Sequence, residues 1–197
     1  MKETIAILKS EHRSISAVLI ALKHLAEMAQ DGHVRPEWQV FHSMLRYIDE
    51  YPERLHHPKE DEFLFARVVA RAPEAKKLVD ALRAEHVQGA KLIRELERKL
   101  LFFEEGWPDG GAEFMGAVDA YADFHWKHMR KEETELLPLA EKHLSADDWR
   151  ALDRAFKANE DPVAEIEERD FQKLFSRIAN LAPAPIGLGD AWKRVSN

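Results

Sequence analysis

Two apolar stripes, each interrupted by one histidine in the same slot, constrain this chain more than any other feature. Ile5, Leu8, His12, Ile15, Leu19, Leu22 and Ala26 succeed one another at intervals of three and four. So do Val79, Leu82, His86, Gly89, Ile93, Leu96 and Leu100, every position 74 later than its counterpart. That spacing puts each set on one face of an amphipathic helix. A second pair of segments repeats as well: "HHPKEDEFLF" at 56–65 and "HMRKEETELLP" at 128–138, with His56 and His128 lying 72 apart. The chain therefore reads as two similar helical hairpins in tandem, with breaks at Gly32 to Pro36, at Ala72-Pro73 and at "GWPDGG", 106–111. Short breaks of this kind join antiparallel neighbours, so the expected fold is all-α, an up-down four-helix bundle with additional C-terminal helices.

Antiparallel helices bring residues equidistant from a turn to one height. His12 and His56 are equidistant from position 34, His56 and His86 from 71, and His86 and His128 from 107, and all three midpoints fall in or directly beside the breaks. Four histidines on four helices thus meet in one layer. Residues four apart share a helix face, so Glu60 accompanies His56 and Glu132 accompanies His128. Four imidazoles and two carboxylates buried together are costly unless cations offset the loss of water. Two glutamates at equal height on diagonal helices suit a pair of ions, with histidines closing each side. There is no cysteine in the chain, which leaves nitrogen and oxygen donors that suit iron, manganese or zinc.

These segments give the chain a family resemblance. "LKSEH" at 8–12, "HHPKEDEFLF", "LRAEH" at 82–86 and "HMRKEETELLP" resemble, in order, the four elements of hemerythrin-like, HHE cation-binding proteins. The resemblance implies a bundle holding a carboxylate-bridged, non-haem pair of Fe ions. Its function would be to bind dioxygen or to respond to oxygen, nitric oxide or redox state. It makes His12, His56, Glu60, His86, His128 and Glu132 the metal ligands. Oxygen-carrying members have a further histidine one turn after the third-helix ligand, where this chain has Ala90. Either one ion keeps an open position or a substitute comes from elsewhere, which weakens reversible oxygen carriage as the specific function. Two rival readings follow: an oxidase or peroxidase at the same centre, or a helical interaction module with a structural metal.

Alignment of the two long motifs selects His56 with Glu60 and leaves His57 and Asp61 about 100° round the helix. Pro58 disturbs the local hydrogen bonding and is the feature able to swing one of them inward. His125 and Glu53 occupy equivalent places one turn before the motifs, as extra ligands, as groups orienting the imidazoles or as solvated residues. Glu11 and Glu85, each preceding a ligand, are expected to face solvent or support an imidazole. His24 and His42 lie too far along their helices to join the layer, and His33 and His143 read as loop residues.

The bundle is expected over 1–143, a helical extension over 144–182 and a Pro/Gly-rich extended tail over 183–197. Ser145 is the expected cap of one added helix, and Asp161 with Pro162 the start of another. A net charge of -7 argues against a nucleic-acid-coating surface. No stretch is long and apolar enough to span a bilayer, so no membrane role and a cytoplasmic location are expected. The expected partners are a small diatomic or peroxide ligand and, for the extension, a second copy of the chain as a homodimer.

Overall fold

The computed structural model describes residues 3–157, 173–174 and 176–194. Its described residues form four antiparallel rods, an added helix and a further helical stretch at 176–181; the rods and the added helix follow the order α1 (Glu3–Ala29), α2 (Trp38–Ile48), α3 (His57–Lys59), α4 (Ala66–Arg71), α5 (Lys76–Gly106), α6 (Gly111–Lys131), α7 (Leu137–His143) and α8 (Ala146–Lys157). The second rod runs from α2 to α4 and is joined by π-helical stretches at Asp49–His56 and Glu60–Phe65. The fourth rod runs from α6 to α7 through a π-helical stretch at Glu132–Leu136. The described residues form no strand, and β-type pairing is confined to two isolated bridges. No helix among them is long and apolar enough to cross a membrane.

The stripes decide which face each rod buries. All seven residues of the first set are buried on α1, and all seven of the second on α5. The three breaks end the helices where the sequence places them. Gly32 turns the first corner with φ of 72°, and a Cβ there would stand 2.8 Å from the Cβ of Pro108 in the third corner. These two corners therefore pack against each other at one end of the bundle, and only glycine satisfies both the dihedral and the space.

Burial of these stripes produces two apolar clusters. One holds Ile15, Leu22, Phe41, Ile48, Leu96, Phe103, Phe114 and Tyr121. The other holds Ile5, Leu8, Phe65, Val79, Leu82 and Leu136. In every rod the chain passes from one cluster to the other through a short polar interval: His12, His56 to Glu60, His86, and His125 to Glu132. Each fully buried Leu or Phe contributes about 1.5–3 kcal/mol, so the slabs on either side supply the stability that lets the polar layer be buried at all.

The added helix α8 buries Trp149, Leu152 and Phe156 against the second cluster. Ser145 caps it: its Oγ accepts from the Asp148 amide at 3.2 Å, while Asp148 accepts from the Ser145 amide at 3.0 Å. Thr4 donates its amide and hydroxyl to Asp153, which ties the start of α1 to α8. The helix start expected at Asp161 and Pro162 lies outside the described residues. The expectation of an extended tail is corrected over 183–194, which folds back on the bundle. The amides of Leu188 and Gly189 donate to the carbonyls of Ala179 and Ala182, and the Trp192 ring lies 5.8 Å from that of Phe41. Proline and glycine there make turns whose backbone groups are satisfied, and the indole supplies the docking contact.

Candidate metal centre

Between the two apolar slabs lies a buried polar layer to which every rod contributes. His12, His56, His57, Glu60, His86, His125, His128 and Glu132 are each no more than 6% exposed. The four histidines and two glutamates anticipated from spacing are all brought together here. His12 Nε2 stands 3.3 Å from Glu132 Oε2 and 4.0 Å from Glu60 Oε1. His56 Nε2 is 3.6 Å from Glu60 Oε2. On the other side, His86 Nε2 and His128 Nε2 are 3.2 Å apart; His128 Nε2 is also 3.2 Å from Glu132 Oε1, and His86 Nε2 3.5 Å from Glu60 Oε2.

The donors fall into two sets: His12, His56, Glu60 and Glu132, and Glu60, His86, His128 and Glu132. The two carboxylates belong to both. Neighbouring donors bound at about 2.1 Å and at right angles to one ion stand about 3 Å apart, close to the shorter separations seen here. His12 Nε2, His56 Nε2, Glu60 Oε2 and both Glu132 oxygens are buried without a hydrogen-bond partner. Orphaned polar atoms of this kind are costly, and a shared cation satisfies them at once. The nitrogen and carboxylate donor set fits borderline divalent cations.

A ring of outer carboxylates fixes the imidazoles. Glu11 on the first rod accepts from His56 Nδ1 of the second at 2.8 Å. Asp61 on the second accepts from His86 Nδ1 of the third at 3.1 Å, and Glu85 on the third from His128 Nδ1 of the fourth at 3.0 Å. Glu133 on the fourth accepts from His12 Nδ1 at 2.8 Å and closes the circle. A carboxylate only accepts, so each Nδ1 carries a proton and each Nε2 is turned into the layer, where it is free to ligate once its own proton is displaced. Glu11 and Glu85 thus have the supporting role foreseen for them. Asp61 and Glu133 carry a legible signal too, since each directly follows one of the shared glutamates.

Charge in the layer is strongly redistributed. Burial opposes protonation of His12, but the Glu132 carboxylate beside it prevails and raises it to about 9. His128 is likewise raised to about 9 against burial, chiefly by the charge of Glu132. His86, which faces Asp61, Glu132 and Glu60, is raised to about 11 against the same opposition. Glu132, despite complete burial, is held well below the usual carboxylate range by His128 and His12. Protons on imidazoles therefore balance the carboxylates in the metal-free layer, and metal uptake must displace them.

His57 takes the inward course that Pro58 leaves open in the sequence. It is buried beside His56 rather than turned away, stacks on His86 at 4.1 Å, and forms a donor set with His86 and His128. The π-helical stretches flanking α3 are the cause. Pro52 and Pro58 lack an N–H, the α-ladder gives way to wider turns, and the α-helical 100° between successive side chains no longer holds. His57 Nδ1 donates to Glu53 Oε2 at 3.3 Å, and Glu53 also accepts from the Tyr121 hydroxyl at 3.2 Å. Burial raises Glu53 to about 7, and burial together with the neighbouring His128 lowers His125 to about 3. Ala90 faces outward and the buried position of that turn is Gly89, where a Cβ would stand 2.9 Å from Glu53 Oε1. The notch left by that glycine is filled by Glu53 and His125 from the second and fourth rods.

The remaining histidines stay out of the layer. His42 is exposed and pairs with Glu104, and His143 lies 3.5 Å from Glu74. Among known proteins, residues 3–140 match the family model described as the hemerythrin HHE cation binding domain. No curated protein matches the chain.

Proposed function

The chain belongs to the hemerythrin HHE cation-binding family, and from that premise we propose that it is a non-haem di-iron protein that binds or senses dioxygen, nitric oxide or a related small oxidant. The observation that carries this reading is the sharing of Glu60 and Glu132 between two sets of histidines. In it, His12 and His56 would hold one ion and His86 and His128 the other, with Glu60 and Glu132 available to both. Iron held there supplies a redox change and open positions for a small ligand. The protein's own groups do the rest. Glu60 and Glu132 neutralise the ions, the outer carboxylates keep each imidazole in its ligating tautomer, and the apolar slabs keep bulk water out. A groove of about 410 Å³ beside α1 and α6 is lined by His12 with Ala17, Ile20, Trp126 and Met129. Arg13, Ser16, Arg130, Glu133 and Thr134 also line it, so the groove gives a small ligand a mixed polar and apolar approach to His12. A cytoplasmic location belongs to the same reading.

The test is iron content after anaerobic purification, followed by spectroscopy on exposure to oxygen or nitric oxide. Two irons per chain and a ligand-to-metal absorption band that appears with the gas are expected. A protein that holds no iron even after reconstitution overturns the reading, and sustained peroxide turnover transfers it to the enzyme class.

A further inference from the structure

The two halves of the metal layer are not equivalent, although the sequence repeat that builds them nearly is. Shifted by the 72 residues separating the long motifs, His57 falls on Met129 and Glu53 on His125. Met129 joins the apolar cluster and lines the groove beside His12. His57 instead lies against His86 and His128, with ring centroids 4.1 and 5.5 Å away. It also carries the feature that marks the four expected ligands. Each of those has its Nδ1 proton given to a carboxylate, and His57 gives its own to Glu53. Glu53 is positioned by Tyr121, by the side-chain-free face of Gly89 and by His125, whose Nε2 lies 3.6 Å from Glu53 Oε1.

We infer that His57 is a fifth imidazole ligand, which completes the His86 and His128 ion and replaces, from the second rod, the histidine missing at Ala90. Glu53 is its positioning residue. The inference rests on the two-ion reading above and adds that the ion positions differ: three imidazoles on one side and two on the other, with the shared glutamates common to both.

The experiment is anaerobic titration of the full chain with Co²⁺, read by visible absorption and metal stoichiometry, with helical circular dichroism as the control for folding. Wild type is expected to take two ions. His57→Ala, and His57→Gln as the variant that better preserves volume, should weaken one binding step at least about 100-fold and leave the other within about threefold, a larger loss than removal of an outer partner produces. Glu53→Gln should weaken the same step by about 10–100-fold. Free imidazole should restore the cobalt spectrum of His57→Ala, which a purely structural role would not allow. Two unchanged steps in a folded His57→Gln protein overturn the inference, and so does equal weakening of both. A wild-type chain that takes up no metal overturns the proposed function itself, and this inference with it.

Discussion

Within the polar layer, the carboxylates differ sharply in what their loss should do. Glu132 faces both donor sets, so Glu132→Ala should reduce metal content at both positions, measured as ions per chain. Glu133 touches only His12 from outside, and Glu133→Ala should lower affinity by about 10–100-fold without abolishing binding. The pH dependence has opposite signs with and without metal. His12 and His128 have folded-state values of about 9 and His86 about 11, all above the unfolded value near 6.5. Their contribution to metal-free stability is complete below about pH 6.5 and is lost as pH rises through about 9 and on towards about 11. Chelator-treated protein should therefore melt at progressively lower temperature as the buffer is raised from about pH 6.5 to 9. Metal binding, which competes with those protons, should add more to the melting temperature over the same range. Differential scanning calorimetry with and without metal checks both slopes. At this scale the four histidines and two glutamates were legible because helical periodicity and turn positions fix direction and height. The carboxylate that each imidazole would choose was not, since that partner sits on a neighbouring rod.

For the helices themselves, apolar spacing was sufficient for the long regular ones. The stripes on α1 and α5 are buried residue for residue as the intervals of three and four require. The irregular elements were harder. Prolines announced a disturbance in the second rod, but a π turn is a choice of hydrogen-bond register, and hydrophobic periodicity does not encode it. That is why the sequence leaves two courses open for His57, about 100° away or swung inward beside Pro58, and only the structure selects the inward one. Gly89 belongs to this scale as well. Glycine in mid-helix costs roughly 1 kcal/mol relative to alanine, and here it leaves room for Glu53 and His125. Gly89→Val should destabilise the protein by about 1–3 kcal/mol in urea unfolding and weaken metal binding, because the added methyls displace Glu53. The Ser145 cap is a local signal that was fully readable. Ser145→Ala should cost about 1 kcal/mol by the same measurement while leaving metal content unchanged.

Across the whole molecule, a costly polar layer survives because it is clamped between two apolar clusters, each covered by a segment outside the four rods. Trp192 packs on Phe41 in the cluster on one side, and α8 covers the cluster on the other. Trp192→Ala should lose about 2 kcal/mol, less than a fully buried tryptophan would, with metal affinity nearly unchanged because the indole lies beyond the layer. The sequence by itself determined the rods, their breaks, the height of the metal layer and most of its donors, because these follow from periodicities local to each helix. Only the tertiary structure decided how the outer carboxylates pass from rod to rod, that His57 enters the layer, and that the tail docks. Those outcomes depend on which surfaces meet across the bundle and on backbone register beside the prolines, and no interval along the chain carries that information.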